Sequence, residues 1–358
     1  MRRKIVLKKC PETPFGLGPN DNRHQQGYLN ALESPDLFGW TEDFTLSDAK
    51  IQELHKPEWI ITNLVIRGHL VIVVGEPNAG KTTIFAHLAG QMVSAGYRVF
   101  YVNADISGSD AAEFVKQSKR GGWSAMLPDL QPGLSVQSVL DKLKAMDESG
   151  QDLSQAVFIF DTLKKMTDVI SKPQVKGLLG LFRSLTGKGM TVILLGHTNK
   201  YGTRDGKPMY EGTGDIRSDP DELIYLIPQK HADGSLTVST NPDKKRGDHK
   251  PITFEISPER HVRQSDTYID TATARKEQAE LSKNREAIET IRDVIANGKV
   301  IQKDVFDECK RLGIGVPTAR KILRKYSQGR CKQWNATRLP KENNAWRYSL
   351  VDVGEQKT

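Results

Sequence analysis

The sequence predicts an α/β fold, in which a parallel sheet forms the first large domain and a small helical domain follows it. Three observations predict this arrangement. Residues 57–262 alternate short apolar runs, typical of buried strands, with apolar residues at helical spacing. A glycine-rich loop joins one of these strands to a helix. From Leu281 onward the chain carries 17 Lys and Arg against 9 Asp and Glu, which accounts for the whole net charge of +8.

The glycine-rich loop follows the apolar residues 71–74 and has the spacing G-x-x-x-x-G-K-[ST]. Its glycines let successive backbone N–H groups turn toward phosphates, and the following helix adds unpaired amides and the positive end of its dipole. Lys81 can reach the β- and γ-phosphates, and the Thr82 hydroxyl can ligate Mg²⁺. The sequence therefore predicts ATP and Mg²⁺ as cofactors. The predicted phosphate-binding residues are Gly75, Glu76, Pro77, Asn78, Ala79, Gly80, Lys81, Thr82 and Thr83.

Two further apolar runs end in aspartate, at Asp105 and at Asp161. Ligands of an open parallel sheet bind beyond the carboxyl ends of its strands, so both carboxylates are predicted near the phosphates. Asp161 is predicted to hold Mg²⁺ together with Thr82. Asp105 is predicted to orient and deprotonate the attacking water. The alternative for Asp105 is a carboxylate that caps the end of a strand or the start of a helix.

A fourth apolar run, at residues 190–196, is followed by His197. A polar side chain at this strand end can contact the γ-phosphate, although a structural histidine would look the same. Residues 201–214 then form a polar, glycine-containing loop that suits a mobile contact with a phosphate backbone, or an ordinary surface loop. The candidate nucleic-acid contacts of this region are Lys200, Arg204 and Lys207.

Asp233-Gly234 lies between two strand-like runs and predicts a hairpin. Lys244 and Arg246 follow this hairpin, where they form either a solvated turn or a finger that enters the nucleotide site of the next subunit.

The ordered set of motifs resembles the RecA-like motor of hexameric replicative helicases, and is most similar to DnaB-like and plasmid RepA-like enzymes. The resemblance covers about residues 57–258. It implies ATP hydrolysis between subunits of a hexameric ring and single-stranded DNA in a central channel lined by residues 201–214. It also implies roles for individual residues: Lys81 and Thr82 at the phosphates and Mg²⁺, Asp161 at Mg²⁺, Asp105 as catalytic base, His197 as γ-phosphate sensor, and Lys244 and Arg246 acting on a neighbouring subunit. Asp105 is a departure, because the family has a glutamate at this position.

The C-terminal residues 285–350 have three helical patterns followed by turn-rich residues between Trp334 and Trp346. This order predicts a winged helix-turn-helix domain, joined to the larger domain by a linker at 263–284. The third helix has an apolar stripe toward its own core and a basic exterior, as expected of a helix that binds a major groove. Its candidate DNA contacts are Arg320, Lys321, Arg324 and Lys325. Winged helices also bind proteins, so a protein partner is the alternative.

The remaining segments are an N-terminal arm at 1–56, predicted to be partly ordered, and a short tail at 351–358. The sequence has no apolar run long enough to span a bilayer and no signal-peptide pattern near Met1, so we expect a cytoplasmic protein without membrane partners. These features together predict a DNA-stimulated ATPase motor, and the resemblance implies a helicase of plasmid or phage type. The alternatives are a nucleotide-controlled DNA-binding regulator or loader with slow ATPase and no unwinding, a partition ATPase, and a small-molecule kinase.

Overall fold

A computed structural model describes residues 38–48, 57–199, 209–340 and 344–351 of the chain. The chain divides into two units, the first ending at Lys56 and the second beginning at Pro57. Most of the predicted N-terminal arm, the loop residues Lys200, Arg204 and Lys207, and the predicted tail lie outside the described residues. In the first unit a 3-10 helix spans Gly39–Phe44, and the rings of Trp40 and Phe44 pack edge to face.

The second unit contains a large sheet with helices on both faces, followed by a smaller helical domain. Its strands, in chain order, are β1 (Trp59–Ile61), β2 (Val65–Ile66), β3 (Leu70–Gly75), β4 (Arg98–Asn103), β5 (Ser124–Met126), β6 (Ala156–Asp161), β7 (Thr191–His197), β8 (Glu222–Lys230), β9 (Leu236–Lys244), β10 (Thr253–Ile256), β11 (Val262–Gln264), β12 (Trp334–Leu339) and β13 (Ala345–Leu350). Its helices are α1 (Lys81–Ser94), α2 (Gly108–Gly121), α3 (Val136–Glu148), α4 (Leu163–Met166), α5 (Lys172–Gly187), α6 (Asp215–Ser218), α7 (Thr271–Lys283), α8 (Arg285–Ala296), α9 (Gln302–Arg311) and α10 (Val316–Lys325).

The central sheet has nine strands in the order β11-β10-β9-β8-β3-β7-β6-β4-β5. Strands β5, β4, β6, β7, β3 and β8 run parallel, while β9, β10 and β11 extend the sheet in antiparallel fashion. The strand that leads into the phosphate loop, β3, lies between β7 and β8 with both neighbours parallel to it. The carboxyl ends of β3, β6 and β7 therefore meet at one edge of the sheet, where a ligand site is expected.

Both faces of the sheet are covered by apolar helix faces, which explains why β3 is buried along its whole length. On one face, α1 buries Ile84, Leu88 and Met92 at helical spacing. Phe114 of α2 joins the same core. On the other face, α3 and α5 bury a second core, which includes Leu143 and Phe182. Full burial of each such side chain contributes about 1.5–3 kcal/mol, so these two layers hold the strand ends in place.

The C-terminal part of the second unit has its own apolar core, formed by α8, α9, α10 and the β12–β13 hairpin. Trp334 is fully buried there, and its indole N–H donates to the carbonyl oxygen of Leu323 at 2.9 Å. A single antiparallel bridge joins Ile301 to Arg347 of this hairpin. In the described residues the element order is thus helix, bridge, helix, helix, hairpin. The winged-helix class itself stays a prediction.

The prediction of an α/β fold with a mostly parallel sheet is confirmed. The sequence did not predict β5 or β11, each of which has three residues at an edge of the sheet. The predicted hairpin at Asp233-Gly234 joins β8 to β9, but β9 continues as far as Lys244. Lys244 therefore belongs to a strand, and Arg246 to the connection between β9 and β10. Among the described residues, no helix combines the length and apolar character that crossing a bilayer requires.

Candidate nucleotide site

The phosphate loop runs from Gly75, the last residue of β3, to Gly80, which precedes α1. Gly80 has a φ of 80°, in the left-handed region, and a Cβ at this position would lie 2.5 Å from the side chain of Ile256. Glycine avoids both the strained backbone and this contact. The loop thereby turns sharply enough to direct the first amides of α1 toward its concave side, where an anion can bind.

Lys81 lies at the start of α1 and is only 7% exposed. Its Nζ donates to the carbonyl oxygens of Gly75 and Glu76, each at 3.0 Å. Burial lowers the pKa of Lys81, while the carboxylates of Asp161, Glu76 and Asp105 raise it. The ammonium group is thus held inside the loop by two neutral acceptors. A phosphate oxygen is a stronger, charged acceptor and can replace them.

Thr82 and Asp161, the two residues predicted to hold Mg²⁺, lie in contact with each other. The Thr82 hydroxyl donates to Oδ2 of Asp161 at 2.6 Å, across 79 residues of sequence. A second donor, the hydroxyl of Tyr101, reaches the same oxygen at 3.0 Å. Burial raises the pKa of Asp161, and the hydrogen bonds from Thr82 and Tyr101 lower it.

Asp105 lies just beyond the carboxyl end of β4, on the same edge of the sheet as the phosphate loop. Its backbone N–H donates to the side-chain oxygen of Asn103 at 3.0 Å, which fixes the turn after the strand. The Asp105 side chain is 53% exposed and forms an ion pair with Lys165 at 3.5 Å. The carboxylate is therefore accessible to water, but it already has a cationic partner.

His197 is the last residue of β7 and pairs in register with Gly75 of β3. Its Nδ1 lies 3.5 Å from Nζ of Lys81. Burial lowers the pKa of His197, and the positive charge of Lys81 lowers it further. A neutral imidazole beside the phosphate loop is suited to forming a hydrogen bond with a phosphate oxygen.

Lys244 and Arg246 lie at the opposite edge of the sheet from the phosphate loop of their own chain. Arg246 forms an ion pair with Asp221 at 2.9 Å, and Asp221 also accepts the backbone N–H of Leu70, the first residue of β3. Lys244 donates to the carbonyl oxygen of Ser218. From Leu70 to Gly75 the strand spans roughly 17 Å at about 3.3 Å per residue. Neither cation can contact a nucleotide bound in the same chain.

The candidate nucleic-acid contacts fall into two groups. Lys200, Arg204 and Lys207 belong to residues that the structure does not describe. The second group lies on one exposed face of α10, where Arg320, Lys321, Arg324 and Lys325 line a shallow basic depression with Pro317 and Gln328. Within this group Lys325 forms an ion pair with Glu280 of α7.

Sequence reasoning missed two residues at the site. Tyr101 contacts Asp161 because β4 pairs with β6 in a register that sets Tyr101 beside Ile159, two residues before the aspartate. Arg275 of α7 forms an ion pair with Glu76 of the phosphate loop at 3.2 Å. Tyr101 could have been singled out in the sequence, because it places a polar hydroxyl group within the apolar run of β4. No local pattern signals Arg275, which is separated from Glu76 by 199 residues.

The residues at the carboxyl edge fit a nucleotide with Mg²⁺. A hydroxyl and a carboxylate in mutual contact are oxygen groups of the kind that Mg²⁺ prefers beside substrate phosphates. The carboxylate of Asp161 is 5% exposed and lies in electrostatic reach of Lys81, so a bound cation and the phosphates would share a partly enclosed pocket.

Residues 41–203, just under half of the chain, match a family model described as an AAA domain. The chain is 25% identical over 174 residues to the DNA repair protein RadA of Bacillus subtilis (strain 168), a match that covers 47% of this chain and 34% of that protein. It is 27% identical over 214 residues to the DNA repair protein RadA of Brucella abortus (strain 2308), with coverage of 58% and 44%. The chain thus spans less than half the length of these relatives.

Among solved structures, the flagellar accessory protein FlaH from Methanocaldococcus jannaschii is similar over 57% of this chain and 92% of that chain, with 20% identity and a TM-score of 0.41. The phosphate-loop geometry and the AAA-domain match over residues 41–203 agree with a P-loop ATPase domain in this part of the chain.

Proposed function

We propose that this protein hydrolyses ATP and uses it to act on DNA, as a DNA-stimulated motor of the helicase type. The observation that carries the proposal is the contact of Thr82 with Asp161, beside Lys81 in the phosphate loop, at the carboxyl edge of a parallel sheet. Two relatives that are named DNA repair proteins, and a basic helix in the C-terminal domain, support DNA as the partner.

In the proposed reaction, Lys81 and the amides of the phosphate loop bind the phosphates of ATP. Thr82 and Asp161 would hold Mg²⁺, which neutralises charge on the β- and γ-phosphates when bound. Asp105 accepts a proton from the attacking water, because it is an exposed carboxylate near the site. His197 contacts the γ-phosphate from the end of β7 and responds to its loss.

Lys244 and Arg246 act on the nucleotide of a neighbouring subunit in this proposal. They are too far from the phosphate loop of their own chain, and Arg246 is 59% exposed, so it can leave Asp221. A cation supplied by a neighbour makes hydrolysis depend on assembly. We therefore propose a closed ring, with six subunits as the expected number from the resemblance to hexameric helicases.

DNA contacts are proposed at two places. Single-stranded DNA would run along the segment that contains Lys200, Arg204 and Lys207, in the channel of the ring. Duplex DNA would meet the basic face of α10, with residues 285–350 acting as a winged helix. Cations on one helix face can contact successive phosphates and base edges in a groove.

The test is an ATPase assay and a duplex-unwinding assay on the same full-length preparation, each with and without single-stranded DNA. We expect ATP turnover that rises with single-stranded DNA, and strand separation that requires ATP. Lys81→Ala should lose both activities, while Lys116→Ala, at an exposed lysine of α2, should retain them. A wild-type protein without ATP turnover under any of these conditions would contradict the proposal.

A second candidate function is a DNA-binding regulator or loader that hydrolyses ATP slowly and does not unwind DNA. The ion pair between Asp105 and Lys165 favours it, because this carboxylate already has a cationic partner other than water. In the same assays this candidate predicts slow turnover, no strand separation, and an affinity for DNA that differs between the ATP and ADP states.

A further inference from the structure

Tyr101 is a fully buried tyrosine whose hydroxyl group points at the candidate Mg²⁺ site. Its hydroxyl donates to Oδ2 of Asp161 at 3.0 Å. The aromatic ring is held on two sides, by Phe114 at 5.1 Å and by Trp123 at 5.5 Å between ring centroids. Because the ring is fully buried between these two aromatic side chains, it has little rotational freedom. The core therefore fixes the position of the hydroxyl group.

The strand pairing explains why this hydroxyl meets that carboxylate. Tyr101 of β4 lies beside Ile159 of β6, and Asn103 lies beside Asp161. Side chains alternate between the faces of a sheet, so Tyr101 and Asp161 lie on the same face, which is the face covered by α1. Thr82 reaches Asp161 from α1 itself. One carboxylate oxygen therefore receives donors from a strand and from a helix.

The two donors differ in what else they do. In the proposed function the Thr82 hydroxyl would also ligate Mg²⁺. The same oxygen would then both donate a hydrogen bond to Asp161 and bind the cation. Tyr101 is enclosed by apolar side chains, and its hydroxyl interacts with both Asp161 and Thr82, the two groups that would hold Mg²⁺. Phenylalanine would fill the same space, and a buried hydroxyl is costly unless it is hydrogen-bonded. The hydroxyl thus has a role beyond filling the core.

We propose that Tyr101 is a positioning residue, which holds the Asp161 carboxylate in the orientation that supports Mg²⁺ beside the bound nucleotide. The proposal rests on the proposed function, because it assumes that Mg²⁺ and a nucleotide bind at Thr82 and Asp161. With Tyr101 in place, Oδ2 is tethered and the carboxylate cannot rotate freely. Without it, Thr82 alone restrains the carboxylate.

The test compares Tyr101→Phe with wild type in calorimetric titrations of ADP, with and without Mg²⁺, at one pH. Wild-type protein should bind ADP more tightly with Mg²⁺. Tyr101→Phe should bind ADP alone as wild type does, and its affinity for Mg²⁺ in the presence of ADP should be roughly tenfold lower, as expected for the loss of a hydrogen bond to a charged group. Because these are binding measurements, they do not depend on turnover.

The matched control is Tyr97→Phe, which removes a hydroxyl from the other end of the same strand region, beside Arg67 and Glu58. It should leave the Mg²⁺ dependence of ADP binding unchanged. Replacing Tyr101 by 4-aminophenylalanine keeps a donor at the same end of the ring, and should restore the response to Mg²⁺. In an Asp161→Ala background, Tyr101→Phe should cause no further loss.

The outcomes separate this inference from the proposed function. If wild-type protein fails to bind ADP or shows no dependence on Mg²⁺, the proposed function itself is contradicted. If wild type depends on Mg²⁺ and Tyr101→Phe matches it, the positioning role is overturned, even when the variant melts at a lower temperature. If Tyr101→Phe does not fold, the 4-aminophenylalanine variant decides the question, since a folded variant without a Mg²⁺ response also overturns the role.

Discussion

At the scale of single residues, Lys81 provides the positive charge of the phosphate loop. Its Nζ lies within 3.0 Å of two loop carbonyls and has no anionic partner at hydrogen-bond distance in the described residues. Lys81→Ala should abolish ATP binding and leave the fold intact, because the loop geometry depends on Gly80 and on the backbone. Calorimetric titration with ATP measures the loss, and an unchanged far-ultraviolet circular dichroism spectrum checks the fold. ATP affinity equal to that of wild type would show that Lys81 does not bind the phosphates.

A substitution at Asp105 tests ATP hydrolysis separately from ATP binding. Asp105→Asn should keep ATP affinity and lose most of the turnover, because an amide cannot accept the proton of the attacking water. Steady-state phosphate release and equilibrium ATP binding are the two measurements. Asp110→Asn, at an exposed acid in the first turn of α2, is the control. Turnover at the wild-type rate in Asp105→Asn would assign the base to another residue.

The residues that sequence reasoning could identify are those whose signal is local. Gly80, Lys81 and Thr82 are consecutive, and Asp161 ends an apolar run, so spacing alone predicts their roles. Tyr101 could not be assigned, because its contact with Asp161 depends on the register between β4 and β6. The ion pair of Arg246 with Asp221 is hidden for the same reason, since it requires the strand order of the sheet.

At the scale of secondary-structure elements, α10 is the surface on which the proposed DNA contact depends. Replacing Arg320, Lys321, Arg324 and Lys325 by glutamine in the full chain should weaken duplex binding. If the four cations contact phosphates, the slope of log affinity against log salt should fall by about 0.9 for each lost contact. If they contact bases, discrimination between sequences should fall instead. Binding is measured by fluorescence anisotropy over a range of salt concentrations.

The control is a variant with the same loss of charge elsewhere on the molecule. In it, glutamine replaces four cations on α2 and α3: Lys116, Lys119, Arg120 and Lys144. It should leave the salt slope unchanged. The basal ATPase activity of the α10 variant should also remain, because none of the four residues belongs to the nucleotide site. Duplex affinity and salt slope equal to those of wild type would reassign α10 to contacts with proteins.

Helices and strands with a clear pattern of apolar residues could be predicted from the sequence, and short strands at the sheet edges could not. Strand β3 is a run of apolar residues and α1 has buried residues at helical spacing, so each carries its own signal. Strands β5 and β11 have three residues each, and they form only because a neighbouring strand offers an open edge. The extension of β9 to Lys244 depends likewise on pairing with Leu223 of β8.

At the scale of the whole molecule, the distance between Arg246 and the phosphate loop of its own chain makes assembly testable. Arg246→Ala should retain ATP binding and lose on the order of 10³ in turnover. Mixing it with Lys81→Ala should restore part of the activity, because in an equimolar, randomly mixed ring roughly a quarter of the interfaces pair an intact Lys81 with an intact Arg246. Phosphate release is measured across mixing ratios. Mixtures that never exceed either variant alone would mean that Arg246 does not act between subunits.

Helix α7 contacts both the phosphate loop and the basic face of α10. Arg275 reaches Glu76 in the phosphate loop, and Glu280, five positions later, reaches Lys325 on the basic face of α10. These positions lie about 7.5 Å apart along a helix axis. A rotation or tilt of this single rod would alter both ion pairs at once. Thermodynamic reciprocity then requires that any effect of nucleotide on the affinity of α10 for a polyanion be matched by an equal effect of the polyanion on nucleotide affinity.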